Sequence, residues 1–133
     1  MSASTGRLDW LLVEFTRDVP GVRNAVVVSG DGLCLALSPG VGETLGDQLS
    51  AAASGLISLA SGTATLLGSG AVTQTILEME GGYLFVTAVS RGATLAVHAD
   101  RQCDIGMVGY EMTLLAARVG HALDPAPRQP AGR

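Results

Sequence analysis

Lysine is missing from this chain altogether; its eight basic residues are all arginine. They are scattered (Arg7, Arg17, Arg23, Arg91, Arg101 and Arg118 among them), and the formal net charge is −4. No basic row is there to neutralise phosphates, which excludes a nucleic-acid partner. Charged residues of either sign make up only 15% of the 133 positions and aromatics 4%, where an ordinary soluble domain carries about a quarter charged residues. With 47% hydrophobic residues, the chain has enough apolar mass for a real core and an apolar surface for a partner to cover. Cysteine is nearly absent. Cys34 and Cys103 stand far apart, without CxxC spacing or a nearby histidine, so neither a disulfide framework nor a metal site is expected, and both thiols are read as free in a reducing cytosol. The opening MSASTGRLDW has no basic segment followed by an apolar one, so no secretory signal is expected. The expected location is cytoplasmic, with attachment to a membrane only through partners.

Charge is also missing from the whole run Gln48–Leu77. That length can span a bilayer, but a span wants about twenty predominantly apolar residues. Here Ser50, Ser54, Gly55, Ser58, Ser61, Gly62, Thr63 and Thr65 interrupt the run, and it breaks at Gly68-Ser69-Gly70. No membrane insertion is expected.

What is present is a clear succession of elements. Leu8, Leu11, Leu12, Phe15 and Val19 recur at helical spacing, which predicts a helix over 7–18 with Trp10 off its main stripe. Pro20-Gly21 ends it. Val22–Ser29 and Leu33–Leu37 read as two strands around a Gly30-Asp31-Gly32 turn. The first strand has Val26 and Val28 on one face and Ala25 and Val27 on the other, which predicts a sheet covered on both sides. A long helix follows over 43–67, with a main stripe of Leu45, Leu49, Ala52, Leu56, Leu59 and Ala60. A second stripe of small residues (Ala51, Ser54, Gly55, Ser58 and Gly62) lets another backbone come close, either the chain's own sheet or a second helix across a dimer.

Gly68-Ser69-Gly70 lacks the GK[ST] of a phosphate loop and reads as a helix stop. Strands are then predicted over 71–80, 83–90 and 93–99, joined at Glu80-Gly81-Gly82 and Ser90-Arg91-Gly92. The strand 71–80 is long and partly polar, which suits a sheet edge, and such an edge needs a cover. A twin copy of the same strand would supply it, through Val72, Gln74, Ile76 and Glu78. Asp104 is the expected N-cap of a last helix whose buried stripe is Ile105, Val108, Met112, Leu115 and Val119. The domain is placed at 7–122, between a flexible start over 1–6 and a proline-rich, disordered tail over 123–133.

Catalytic groupings are not evident. Glu78 and Glu80 share a strand face but flank a Gly-Gly turn and read as a solvated strand end. His98 and His121 have no carboxylate or cysteine at ligand spacing, and no GxSxG presents a serine nucleophile. No enzyme, cofactor or metal is expected.

With these residues in place, the chain resembles the roadblock/LC7 family over about 8–122. The resemblance is carried by LDWLLVEFTRDVPGVRNAVVVSGDGLCLA, LGDQLSAAASGLISLA, QTILEMEGGYLFVTAV and DIGMVGYEMTLLAARVG. Within the family it is most similar to the MglB-like and actinobacterial conservon members encoded beside small Ras-like GTPases. The resemblance implies an α+β sandwich of roadblock/profilin type. Its one five-stranded antiparallel sheet follows the order α-β-β-α-β-β-β-α, with the long helix on one face and the two terminal helices on the other. It further implies a homodimer in which the strand 71–80 pairs with its twin and the two long helices lie side by side. The small stripe Ala51, Ser54, Gly55, Ser58 and Gly62, with Val72, Gln74, Ile76 and Glu78, would form that interface. The implied role is a non-catalytic adaptor or regulator of a small Ras-like GTPase in a bacterial signalling complex. An arginine finger from Arg17, Arg23 or Arg91 does not follow from the family, and activation would come from rearranging the partner's own switch loops. The same dimer could instead recruit a sensor histidine kinase. A small-ligand sensor would need a pocket drawing on Tyr83, Thr87, Thr94 and His98.

Overall fold

The computed structural model describes residues 3–124. Helix α1 runs Ala3–Asp18, strands β1 and β2 span Val22–Val28 and Cys34–Leu37, and α2 spans Glu43–Leu67. Strands β3 (Thr75–Met79), β4 (Gly82–Ala88) and β5 (Thr94–Asp100) follow, with a 3-10 turn at Ser90–Gly92 between the last two, and α3 (Ile105–Leu123) closes the order. All strand pairs are antiparallel, in the spatial order β2-β1-β5-β4-β3. The expected α+β sandwich is therefore the observed fold. Helix α1 begins four residues before the apolar periodicity placed it, because its first turn carries no stripe residue to announce it.

The sheet separates two cores of unequal thickness. Under α1 and α3 lie Leu12, Phe15, Val27, Phe85, Val97 and Met112, all buried. Under α2 lie Val26, Val28, Leu84, Val86 and Ala96, met by Ala53. Strand β1 thus buries both of its faces, as its composition predicts.

Helix α2 does not sit as its leucines suggested. Its buried positions are Gly46, Ser50 and Ala53, with Leu49, Leu56 and Ile57 only partly covered. Leu45 and Leu59 of the expected main stripe are exposed, at 44% and 74%, and Ala52 is exposed too. The reason is close approach. A Cβ at Gly46 would stand 2.6 Å from Leu37 Cδ2, so the helix lies on the sheet through small residues and its leucines are rolled outwards. Ser50 tolerates burial because its hydroxyl donates to the Gly46 carbonyl at 2.8 Å. Gly68 caps the helix in the left-handed region (φ 64), as the Gly-Ser-Gly stop implies.

Strand β3 is shorter than the alternation over 71–80 predicts, since only Thr75–Met79 pairs with β4. Residues 71–74 leave the ladder, and the Thr87 hydroxyl takes the Thr73 carbonyl at 3.0 Å in place of a strand bond. Strand β4 begins one residue early, at Gly82, where a Cβ would stand only 2.4 Å from the Ala99 carbonyl oxygen. Asp104 caps α3 as expected, accepting from the Met107 N–H at 3.0 Å. Of the proposed tail, Leu123 closes α3 and 125–133 lie outside the described residues.

Candidate functional site

The two edges of the sheet differ. Strand β2 is four residues long, and its register breaks between Val27 and Val28; a short, irregular edge is a poor template for pairing. Strand β3 has an unbroken register from Thr75↔Val86 to Met79↔Gly82. The two-residue loop Glu80-Gly81 sets its hydrogen-bond phase. Met79 and Gly82 must be a bonded pair, because the alternative would need a bond between adjacent residues 80 and 81. Antiparallel bonding alternates, so Leu77 and Thr75 also bond inwards to β4. The N–H and C=O of Ile76 and Glu78 face outwards. The side chains are no more protected: Ile76, Leu77 and Met79 are 44%, 41% and 40% exposed. Leu77 and Met79 stand on the α2 face and Ile76 on the other, opposite Phe85.

Over one face of the sheet, chiefly above β1, β5 and β4, runs α2, the one helix among the described residues long and apolar enough, by length and composition, to cross a membrane (mean hydropathy 1.3). Its outward crown is Leu45, Ala52, Leu59 and Leu66 at seven-residue spacing, with Leu66 86% exposed. The small residues Ala51, Gly55, Ser58 and Gly62 are exposed on one flank. Ser54 is half-buried and turned towards Gly32 of the β1–β2 turn, away from the others. The only charges on the helix are Glu43 and Asp47. Its last two turns and residues 69–75 enclose an open groove of about 410 Å³, lined by Ala60, Thr63, Leu67, Val72 and Thr75 among others. Val72 therefore lies under the end of α2. Gln74 instead faces α3, its amide oxygen 3.0 Å from where a Cβ on Gly109 would be. Glu78 is tied back to Arg101 at 3.0 Å.

Of the nine positions singled out for an interface, Ile76 and Glu78 lie on β3, Val72 lies under the end of α2, four line the α2 flank, and Ser54 and Gln74 point elsewhere. Sequence reasoning missed Leu66, Leu77 and Met79, and set Leu45 and Leu59 in the helix's main apolar stripe rather than in an interface. The seven-residue spacing of the crown was the signal that could have separated them.

Arginine lies on the opposite layer. Arg17 pairs with Asp18 at 2.8 Å, Arg23 with Asp100 at 3.5 Å and Arg118 with Glu14 at 3.3 Å. Arg101 pairs with Glu78 and lies 5.1 Å from the Tyr83 ring centroid. Its charge is held further above the usual guanidinium range by the Glu78 hydrogen bond. The side chain of Arg91 lies outside the described set. The four polar residues named for a ligand pocket do not converge, since Tyr83 and Thr87 stand on the α1/α3 face and Thr94 and His98 on the other. His98 is paired with Asn24 at 3.2 Å. Glu80 lies in the turn and does not join Glu78 on the strand. Among the described residues, no three His, Cys, Asp or Glu side chains gather as metal ligands would.

No protein of curated function matches this chain. A roadblock/LC7 domain from Streptomyces avermitilis is 36% identical, covers 86% of this chain and 96% of its own, and superposes with a TM-score of 0.82. The gliding protein MglB of Thermus thermophilus shares the fold at 21% identity, with 92% of each chain covered and a TM-score of 0.81. A profilin solved with rabbit actin, LokiProfilin1, shares it more distantly, at 10% identity and a TM-score of 0.64, over 92% of this chain and 98% of its own. The Roadblock/LC7 domain model matches residues 8–99, and with the sheet order, the helix layers and the Streptomyces relative it places this chain in the roadblock/LC7 family.

Proposed function

We propose that this chain is a self-associating, non-catalytic adaptor whose partner is a small Ras-like GTPase, acting in the cytosol. The observation that carries the reading is the joining of a bare, register-true β3 edge to an apolar α2 that has no basic residue. A second β3 satisfies the outward groups of Ile76 and Glu78, and the small flank of α2 lets a second α2 come close. The leucine crown of Leu45, Leu59 and Leu66 then remains for the partner. Among the described residues α2 carries no arginine, Arg101 beside β3 is held by Glu78, and Arg17 and Arg23 are committed to ion pairs on the other layer. As the family resemblance implies, any stimulation of GTP hydrolysis would come from rearranging the partner's own switch loops.

The test is a pull-down from the native host's lysate with GDP or a non-hydrolysable GTP analogue. The reading expects a small GTPase retained in one nucleotide state, and lost on Leu59→Glu while the bait stays dimeric. Recovery of a histidine kinase alone, with no GTPase in either state, would replace this reading with that of a kinase scaffold.

A further inference from the structure

Strand β3 can meet a twin in few ways, and its own geometry chooses among them. Its outward N–H and C=O groups belong to Ile76 and Glu78, as the phase of the β3–β4 hairpin requires. A two-fold antiparallel pairing must therefore set even-numbered residues against even-numbered ones. Centred on Ile76, it leaves Glu78 opposite Gln74, which lies outside the ladder, so only the Ile76 pair is bonded. Centred on Glu78, it sets two carboxylates directly opposite each other, which is destabilising, and puts Ile76 against Glu80 of the turn. Centred on Leu77, it joins Ile76 to Glu78 of the second copy and Glu78 to that copy's Ile76. Every residue from Thr75 to Met79 then has an opposite number.

The side chains favour the same choice. On the α2 face Leu77 meets its own twin and Thr75 meets Met79 of the second copy, which covers the two exposed apolar side chains of that face. On the other face the exposed Ile76 comes beside Glu78 of the second copy. Glu78 is the only charge on β3, and its own chain already answers it. Arg101 donates to Glu78 Oε2 at 3.0 Å and to the Met79 carbonyl at 3.3 Å, with its guanidinium carbon 5.1 Å from the Tyr83 ring centroid. An apolar neighbour can therefore settle against Glu78 without stranding a bare carboxylate. Resting on the self-association proposed above, we infer that the chain pairs with a second copy in one register, with Leu77 on the two-fold axis and each Ile76 bonded to Glu78 of the other copy.

In this register the two Leu77 Cα atoms are about 4.5 Å apart, within disulfide reach. The two Ile76 Cα atoms, like the two of Glu78, are about 9 Å apart, beyond it. Single cysteines are placed in the full-length protein and oxidised, with the native chain and its Cys34 and Cys103 as the blank. Leu77→Cys is expected to run at twice the 13.5 kDa chain mass without reductant, in about tenfold greater yield than Ile76→Cys or Glu78→Cys, since only its thiols lie within reach. Ile76→Cys co-expressed with Glu78→Cys brings opposed residues together and should cross-link as well, which keeps the test open if Leu77→Cys does not fold. Sedimentation of the native chain separates the register from the self-association on which it rests. A native dimer in which Ile76→Cys or Glu78→Cys cross-links with itself, or in which no variant cross-links, overturns the register alone. A native chain that sediments singly overturns both.

Discussion

Gly82 shows how much a single residue decides at the β3–β4 hairpin. Its missing side chain lets the chain pass the Ala99 carbonyl, where a Cβ would meet backbone at 2.4 Å. No rotamer change relieves that contact, so Gly82→Ala is expected to cost about 1–3 kcal/mol, as overpacking does, read as a lower denaturant midpoint. The β1–β2 turn has a titratable counterpart. Ser29 donates its hydroxyl to Asp31 at 2.5 Å and accepts the Leu33 N–H at 3.1 Å. The Ser29 hydroxyl holds the Asp31 carboxyl below its ordinary value of 3.8. A carboxyl depressed in the folded state stabilises it above the unfolded value and loses that contribution as pH falls through the folded one. Following Asp31 by NMR titration should give a midpoint below 3.8 in the native chain, and Ser29→Ala should raise it towards that value, the backbone hydrogen bond keeping part of the shift. An unshifted native midpoint would show the hydroxyl bond absent in solution.

At the scale of elements, β1 was legible because its residues are apolar on both faces, and α3 because Asp104 and the stripe from Val108 through Val119 agree on one helix, although Ile105, placed in that stripe, is 40% exposed. The rotation of α2 was not legible. Two apolar stripes run along that helix, and periodicity alone cannot say which meets the sheet. The choice is made by Gly46, which admits Leu37 where a larger residue would hold the helix off. The length of β3 was hidden for a similar reason. Alternation continues through Val72 and Gln74, but the Thr87 hydroxyl captures the Thr73 carbonyl from the neighbouring strand. The α1/α3 groove needs residues 14 and 118 side by side, a juxtaposition that no local pattern encodes. What the alternation did place correctly is β3 at the sheet edge, and there the hairpin phase adds a sharper statement: the Ile76 N–H faces outwards. A proline at 76 removes a donor from the free edge while leaving the bonded Thr75, Leu77 and Met79 pairs with β4 in place.

Taken whole, the molecule is polarised. One layer is thick-cored and carries the ion-paired arginines. The other is a thin layer in which a nearly uncharged helix with exposed leucines lies beside an open strand. A monomer would leave both the leucines and the outward groups of β3 in water, an arrangement that invites pairing. Self-association is thus the step on which the adaptor reading depends, and the direct measurement is the sedimentation mass of the native chain beside Ile76→Pro, with circular dichroism as the check on folding. The account predicts twice the 13.5 kDa chain mass for the native protein and a folded single chain for the variant. A native protein that sediments as one chain, or a folded Ile76→Pro that keeps the double mass, would contradict it.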